Sequence, residues 1–187
     1  MVKRKTCVFI SGQGSNLKNL ITHSRNNSFP IKISLIISNN KNANGIKYAK
    51  YYKIPYKYIN SKLKNSEREI LLLLKTYNIT FICLAGYMKI ISNKIVNAFK
   101  KKIINIHPSL LPKFKGLNTF ERVLKSNEKK TGCTVHYVNN KLDDGSIIIK
   151  KIFFLKSKDN EITLKQKTQK LEYRAYPEAI IKIFRYR

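Results

Sequence analysis

An amide and an imidazole stand at the end of one apolar segment of this chain, and an acidic turn follows further along. The segment is Asn105-Ile106-His107-Pro108-Ser109-Leu110-Leu111-Pro112, and the turn is Leu142-Asp143-Asp144-Gly145. Proline has no N–H for a β-ladder, so Pro108 should end a strand and leave the polar pair at its exit, where α/β sheets commonly keep their chemistry. An amide that stabilises an oxyanion, a histidine that moves a proton and a carboxylate that orients the histidine would suit acyl transfer.

The chain has three histidines, and their positions distinguish them. His23 falls near a predicted helix C-terminus, where a cation suits the helix dipole and no further role is needed. His136 lies in a strand pattern and is interpreted as a packed strand residue. His107 differs, because Asn105 stands two positions before it and both side chains then point to the same face of the strand. We therefore expect His107 to be a solvent-facing functional group that contributes little to core packing.

A glycine-rich turn, Ser11-Gly12-Gln13-Gly14-Ser15-Asn16, joins the first predicted strand to the first predicted helix. Its glycines let backbone N–H groups point inward, and the helix N-terminus adds positive potential, so the turn can hold a phosphate. It is neither a complete dinucleotide fingerprint nor a Lys-Ser/Thr phosphate loop. A plain capped turn explains the residues nearly as well, and both interpretations remain open at this point.

The charge of the chain is high, but its distribution is not that of a nucleic-acid-binding surface. The net charge is +28, with 38 lysines and arginines against ten acids. The lysines are dispersed along the chain, and the abundance of Asn and Ile beside them is what an A+T-rich genome imposes on ordinary surfaces. We expect no specific nucleic-acid partner, although the field would attract a phosphorylated substrate. By residue type alone, Asp143 and Asp144 are typical of a tight turn, and Glu172 of a solvated helix face.

Length and composition indicate one folded domain in a reducing compartment. The chain has 187 residues and is 43% hydrophobic, which suffices for a core. No apolar run approaches the roughly 18 residues of a membrane helix, and the N-terminal run is too short for a signal peptide, so we expect a cytoplasmic protein. The three cysteines are far apart without Cys-x-x-Cys spacing, and we expect small buried thiols rather than metal ligands.

Apolar runs alternate with segments of helical periodicity, which predicts an α/β fold. Strands are predicted at 6–10, 31–38, 56–59, 80–85, 103–107, 131–138 and 147–155. Helices are predicted at 16–24, 45–52, 67–77, 119–126 and 163–184, the last kinked or broken in two at Pro177. This order predicts a mostly parallel, Rossmann-like sheet with helices on both faces and an antiparallel C-terminal addition.

Together, these segments resemble the folate-dependent formyl transferases, and among them the glycinamide ribonucleotide transformylases. The Asn-x-His-Pro-Ser-Leu-Leu-Pro run with its downstream Asp is specific to the folate formyl transferases, and the Ser-Gly-x-Gly-Ser-Asn-Leu start narrows the resemblance to this branch. The matching segments keep the family's order across almost the whole chain, at 10–17, 37–40, 84–91, 105–112, 132–138 and 142–145.

The resemblance implies transfer of the formyl group of 10-formyltetrahydrofolate to the amine of 5-phosphoribosylglycinamide, without a metal. Asn105, His107 and Asp143 match the family's catalytic trio. Asn105 and protonated His107 would stabilise the tetrahedral oxyanion, and Asp143 would hold the imidazole and help pass a proton through water to N10 of the folate. The residues that match the family's ribonucleotide site are Gly14, Ser15, Asn16 and Glu172. Those assigned to its folate site are Lys62, Tyr87, Met88, Lys89, Ile90, Ile91, Asn139, Asn140, Lys141, Leu142 and Asp143.

The same resemblance predicts the organisation and partners of the chain. We expect a single formyltransferase domain, 1–187, in which 1–100 is the ribonucleotide- and phosphate-binding half and 101–187 the catalytic and folate-binding half. The expected partners are the two small-molecule substrates, with no membrane, and the chain is expected to be a monomer or a homodimer.

Three residues depart from the family's pattern. Lys89 stands where the family usually has Arg, and Lys62 lies near another usual Arg; the two side chains are not equivalent in planar contacts. Asp144 replaces the first Gly of the usual Asp-Gly-Gly turn. Because Asp tolerates positive φ less well than Gly, we expect a differently shaped loop, and a second carboxylate would raise the local pKa values.

Other functions compete with this interpretation. Methionyl-tRNA formyltransferase shares the His-x-Ser-Leu-Leu-Pro signature, and its tRNA would suit the charge, but it carries a further C-terminal domain. Formyltetrahydrofolate hydrolase shares the fold but adds an N-terminal regulatory domain, and we expect neither domain here. A non-catalytic nucleic-acid-binding protein is disfavoured by the intact Asn105, His107 and Asp143.

Overall fold

The computed structural model describes residues 2–185 and, over that range, contains seven strands and six helices. The strands are β1 (Arg4–Ile10), β2 (Ile31–Ser38), β3 (Tyr56–Tyr58), β4 (Phe81–Leu84), β5 (Ile103–His107), β6 (Lys130–Tyr137) and β7 (Ile147–Phe154). The helices are α1 (Ser15–Ser24), α2 (Ile46–Tyr51), α3 (Ser66–Thr76), α4 (Asn93–Ala98), α5 (Thr119–Leu124) and α6 (Glu161–Arg185).

The strands follow the order β3-β2-β1-β4-β5-β6-β7 in the sheet. β1 pairs in parallel with β2 and β4, and β2 pairs in parallel with β3. β6 and β7 are antiparallel. The fold class predicted from the sequence, a mostly parallel α/β sheet with an antiparallel C-terminal addition, is confirmed.

The chain folds as two compact units, the first ending at Ile104 and the second beginning at Asn105. In the first unit, β1 lies between β2 and β4 and is inaccessible to solvent from Cys7 to Ile10. A strand that is covered on both faces has no position for a polar side chain facing water, which explains its continuous apolar run. Helix α1 buries Leu17, Leu20 and Ile21 and packs against β2.

In the second unit, α6 packs against both strands of the β6–β7 hairpin. Its buried residues recur at helical spacing and include Leu164, Thr168, Ala175, Ala179 and Ile183. This stripe is the apolar face that the 3.6-residue period places on one side of the helix. The hydrophobic core of the second unit therefore lies between the hairpin and this helix.

Two features of the helices differ from the sequence-based expectations. Helix α4 was not predicted, because its six residues bury only Ile95 and Val96 and show no sustained periodicity; its N-cap is the Ser92 hydroxyl, which accepts the Ile95 N–H at 3.4 Å. The predicted break at Pro177 is wrong, since α6 runs without interruption through it. Pro177 is buried beside the fully buried Tyr176, and burial of this face offsets the hydrogen bond that proline cannot donate.

The three cysteines are buried thiols that form no disulfide, as expected. Burial raises the pKa of Cys7 well above the ordinary value and raises the pKa of Cys133 to about 12. Both thiols are therefore protonated at neutral pH. Among residues 2–185, no helix has the length and apolar character that a membrane crossing requires.

Two neighbouring residues of α6 test the packing of the second unit. Leu164 is 0% exposed and Ile162 is 69% exposed. We expect Leu164→Ala to lower the free energy of unfolding by about 2–5 kcal/mol, because it leaves a cavity under the helix. The matched change Ile162→Ala should alter it by less than about 0.5 kcal/mol. Urea unfolding followed by circular dichroism measures both; equal losses would contradict the observed orientation of α6.

Candidate active site

Strand β5 carries the amide and the imidazole on one face. Ile104 and Ile106 alternate with them and are buried, as the two-residue period of a strand requires. The expectation that His107 faces solvent is wrong, because its ring is only 6% exposed. The ring lies under the loop that follows the strand, where its Nε2 is 2.8 Å from the carbonyl of Phe114. A carbonyl can only accept, so Nε2 of His107 carries a hydrogen.

The carboxylate of Asp143 joins the amide and the imidazole. Its Oδ2 lies 3.3 Å from Nδ1 of His107 and accepts the N–H of Gly116 at 2.9 Å. Its Oδ1 accepts a hydrogen bond from Nδ2 of Asn105 at 3.3 Å. The second unit therefore brings together the three side chains for which the sequence predicted a catalytic role.

A fourth polar side chain, His136 of β6, belongs to the same cluster. It is buried, as the strand pattern indicated, but its Nε2 lies 3.3 Å from Nδ2 of Asn105 and 3.6 Å from Oδ1 of Asp143. Its Nδ1 is fixed by the carbonyl of Tyr137 at 2.8 Å. The sequence reasoning missed this contact, and the one signal for it was a histidine at a buried strand position.

Thr134, two positions before His136, holds the loop that follows β5. It is fully buried, and its hydroxyl donates to the carbonyl of Ser109 at 2.7 Å and accepts the N–H of Leu111 at 3.1 Å. The Ser109 hydroxyl in turn donates to the carbonyl of Lys113 at 2.7 Å. These bonds fix the path of the chain towards Phe114, whose carbonyl contacts His107.

The acidic turn has a backbone that differs from the expectation. The left-handed residue is Asp143, with φ 47°, and not Asp144. A side chain at Gly145 would place Cβ 1.7 Å from the carbonyl oxygen of Tyr137, so this position requires glycine. Asp144 points to Lys115 and forms an ion pair with it.

The expected rise in local pKa values is also wrong. The hydrogen bond from Lys115 is the main cause of a lowered pKa of Asp144. Burial is the largest influence on Asp143 and acts to raise its pKa. The adjacent His136 ring, the hydrogen bond from the Gly116 N–H and the charge of His107 outweigh burial and lower the pKa of Asp143 below its ordinary value. Both carboxyl groups are therefore ionised at neutral pH.

The pKa of His107 is shifted in the direction that favours the neutral form of the imidazole. Burial is the main cause of its lowered pKa, and the charge of Asp143 and the carbonyl of Phe114, which both raise it, offset burial only in part. The imidazole therefore gives up a proton more readily than an ordinary histidine. A negative charge that develops beside the ring would reverse this preference, which is the behaviour required of an oxyanion-stabilising acid.

Together these groups can carry out one kind of chemistry. Asn105 supplies an amide donor, His107 a titratable donor, and Asp143 an ionised acceptor that touches both. Such a set can stabilise an oxyanion and relay a proton. Over residues 2–185, no group of three or more His, Cys, Asp and Glu side chains is arranged to hold a metal ion.

In the first unit, the glycine-rich turn is held in a tight conformation at the start of α1. Gly14 has φ 73°, and a Cβ on it would lie 2.5 Å from Cα of Gly45, so only glycine fits. The N–H of Gly45 donates to the carbonyl of Gly12 at 3.0 Å. Ser15 and Asn16 follow as the first two residues of the helix, where backbone N–H groups point out of the helix end.

Two lysines that the sequence reasoning did not single out lie near this turn. Nζ of Lys18 and Nζ of Lys47 are 5.7 and 5.2 Å from the centre of the Tyr48 ring. The edge of that ring is 3.4 Å from the Cβ position of Gly14. Positive charge therefore adds to the helix dipole beside Gly14.

The remaining predicted ligand-binding residues occupy segments of both units. In the first unit, Tyr87 packs edge-on against Phe9 at 5.3 Å between ring centres, and burial is the main cause that raises the pKa of Tyr87 to about 12. Of the residues that follow, Met88, Lys89 and Ile90 are exposed and Ile91 is buried; Lys62 is exposed in a turn before α3. In the second unit, Asn139, Asn140, Lys141 and Leu142 are exposed in the loop between β6 and β7, and Glu172 is half-buried on α6.

Comparisons with known proteins agree on one family. Residues 4–180 match the family model described as formyl transferase. The chain is 37% identical over 181 residues to the phosphoribosylglycinamide formyltransferase of Haemophilus influenzae, covering 95% of this chain and 85% of that protein. It is 38% identical over 182 residues to the human trifunctional purine biosynthetic protein adenosine-3, covering 95% of this chain but only 18% of that protein.

Solved structures give the same result. The phosphoribosylglycinamide formyltransferase of Bacillus halodurans superimposes with a TM-score of 0.92 at 34% identity, covering 96% of this chain and 95% of that one. The enzyme of the same name from Brucella melitensis gives 0.91 at 35% identity, covering 98% and 96%. Fold, site and sequence thus define a one-carbon transferase domain. The chain belongs to the formyl transferase family.

The coupling between Asp143 and His107 can be measured directly. Because the carboxylate raises the pKa of His107, Asp143→Asn should move that pKa further below its wild-type value, which itself lies below the ordinary 6.5. The control Asp144→Asn should change it much less, since Asp144 pairs with Lys115. Titration of the histidine ring protons by NMR distinguishes these outcomes. An unchanged His107 pKa in Asp143→Asn would contradict the contact.

The same shift predicts the effect of pH on stability. Between the folded-state pKa of His107 and the unfolded value near 6.5, the unfolded chain binds more protons at this residue. The contribution of His107 to the free energy of unfolding is therefore fully present above about pH 6.5 and is lost as the pH falls through the folded-state pKa of this residue.

Proposed function

We propose that this protein transfers the formyl group of 10-formyltetrahydrofolate to the amine of 5-phosphoribosylglycinamide. The observation that carries the proposal is the Asp143 carboxylate in hydrogen-bond contact with Asn105 and beside His107, on a chain of the formyl transferase family. The names of the relatives from Haemophilus influenzae and Bacillus halodurans support the ribonucleotide as the acceptor.

In the proposed reaction, the amine nitrogen of the ribonucleotide adds to the formyl carbon, and negative charge develops on the formyl oxygen. Asn105 donates a hydrogen bond to that oxygen, and the positive charge of protonated His107 stabilises the negative charge that develops there. The developing charge favours the imidazolium form and opposes the effect of burial on the His107 pKa. Asp143 keeps both donors in place and passes the proton of the attacking amine, through water, to N10 of the departing folate. The new C–N bond thus replaces the old one, and the lost proton reappears on N10.

We propose that the turn at Gly14, Ser15 and Asn16 holds the phosphate of the ribonucleotide, with support from Lys18 and Lys47, and that Glu172 contacts the same substrate. Backbone N–H groups at the start of a helix and two nearby ammonium groups suit a phosphate. The proposed folate contacts are Lys62, Tyr87, Met88, Lys89, Ile90 and Ile91 in the first unit and Asn139, Asn140, Lys141, Leu142 and Asp143 in the second.

We also propose that the chain is a single domain, with the phosphate of the ribonucleotide bound within residues 1–100 and the catalytic trio supplied by residues 101–187. The chain would act in the cytoplasm on small molecules, as a monomer or a homodimer. Its positive charge would attract the phosphorylated substrate and needs no nucleic-acid partner.

The decisive experiment mixes purified protein with 5-phosphoribosylglycinamide and a 10-formyl folate analogue and follows release of the deformylated folate by absorbance. Release that depends on the ribonucleotide supports the proposal. Release without it would identify a hydrolase. No release from folded protein would contradict the proposal and favour a tRNA acceptor or a binding protein without this chemistry, which steep salt-dependent RNA binding would then distinguish.

Adjacent carboxylates provide a matched pair of variants. Asp143→Asn should lower kcat/KM by about 10²-fold or more, because it removes the negative charge and one of the two acceptor oxygens that hold Asn105 and His107. Asp144→Asn should change it by no more than about 3-fold, since loss of one exposed ion pair is worth little. Thermal unfolding of both variants checks that they fold. The opposite ranking would mean that the catalytic carboxylate is Asp144.

A further inference from the structure

The polar atoms of Ser11 link three segments of the first unit. Its N–H donates to the carbonyl of Gly86 at 3.1 Å, and its carbonyl accepts from Nδ2 of Asn40 at 3.0 Å. Its hydroxyl donates to Oδ1 of Asn39 at 2.5 Å and accepts the N–H of Met88 at 2.7 Å. Every polar group of this residue therefore has a partner within the first unit, and the residue is only 9% exposed.

The strand register explains why these partners meet at Ser11. Ile10 pairs with Ser38 of β2, and Phe9 pairs with Leu84 of β4. Ser11 is the residue that follows β1, which lies between the other two strands, so the segments leaving β2 and β4 flank it on either side. The carboxyl ends of parallel strands meet at one edge of a sheet, and that edge is where α/β folds bind ligands.

The directions of these hydrogen bonds define the role of the Ser11 hydroxyl. A hydroxyl has one hydrogen, and here that hydrogen is directed to the amide oxygen of Asn39. Its lone pairs are then available to the Met88 N–H. That N–H begins the segment in which Met88, Lys89 and Ile90 are exposed, so the hydrogen bond fixes the backbone of residues that are otherwise in contact with solvent.

We propose that Ser11 is a positioning residue for folate binding, whose hydroxyl, oriented by Asn39, holds the backbone at Met88 in its ligand-binding conformation. The inference rests on the proposed function, since that function assigns residues 87–91 to the folate. The ribonucleotide turn should be much less sensitive to the hydroxyl, because Ser11 keeps its place there through its backbone N–H and carbonyl, which no side-chain change removes.

The first variant to test is Ser11→Ala. Loss of the acceptor leaves the Met88 N–H without its partner, and a hydrogen bond of this kind corresponds to about a 10-fold change in binding. We expect the KM for the 10-formyl folate analogue to rise about 10-fold, with kcat and the KM for the ribonucleotide changed by less than about 2-fold. We also expect the Met88 amide to exchange with deuterium faster than in the wild type, as measured by NMR.

Variants of Asn39 distinguish a positioning role of the Ser11 hydroxyl from a simple loss of packing. Asn39→Ala should reproduce part of the effect, whereas Asn39→Asp keeps an acceptor for the hydroxyl and should remain close to wild type. If Asn39 acts through Ser11, the double variant Ser11→Ala/Asn39→Ala should be no worse than Ser11→Ala alone. The control is Ser34→Ala, because Ser34 is half-buried on β2 and its hydroxyl makes only a 3.4 Å contact with the carbonyl of Lys32; it should change neither KM.

Two results would overturn the inference: a wild-type folate affinity and Met88 exchange rate in Ser11→Ala, or an equal rise in both KM values. Calorimetric binding of the 10-formyl folate analogue to wild type and Ser11→Ala gives the same comparison without turnover. A wild type that binds the analogue but transfers no formyl group would refute the proposed function alone. Tenfold weaker binding of the analogue in Ser11→Ala would still support the positioning role.

Discussion

One buried carboxylate organises the second unit. Asp143 receives the N–H of Gly116 and the amide of Asn105 and lies beside the rings of His107 and His136. An ionised carboxylate withdrawn from water costs several kcal/mol unless donors replace the lost solvation. The donors come from β5 and from the loop after it, and the His136 ring of β6 lies beside the charge. Their convergence fixes these elements around the charge, and the low pKa of Asp143 reflects the same arrangement.

Much of the fold could be predicted from the sequence because the strands are covered on both faces. Runs such as Cys7–Ile10 have no exposed positions, so their apolar character is continuous and easily seen. Helix α4 was not predicted, because its six residues form fewer than two helical turns and show no recognisable apolar periodicity. The break expected at Pro177 does not occur, because a local rule about proline carries no information on how much apolar surface α6 buries around it.

The candidate site was predictable only in part. The spacing of Asn105 and His107 placed them on one strand face, but the choice of Asp143 from the acidic turn came from a family resemblance and not from local pattern. The contacts of His136 and Thr134 were not predicted, because the sequence of one strand does not show which residues of the neighbouring strand lie opposite it. The exposure of His107 was misjudged for the same reason: the loop that covers its ring is fixed by Thr134 of β6, a residue distant in sequence.

The three buried thiols can report where the folded chain opens locally. Cys7 and Cys83 lie in the first unit and Cys133 in the second, and all are shielded in the folded state. A protonated, inaccessible thiol reacts with alkylating reagents only when its surroundings open. The order in which these positions are labelled under mild denaturation therefore reports which unit loosens first, without any introduced probe.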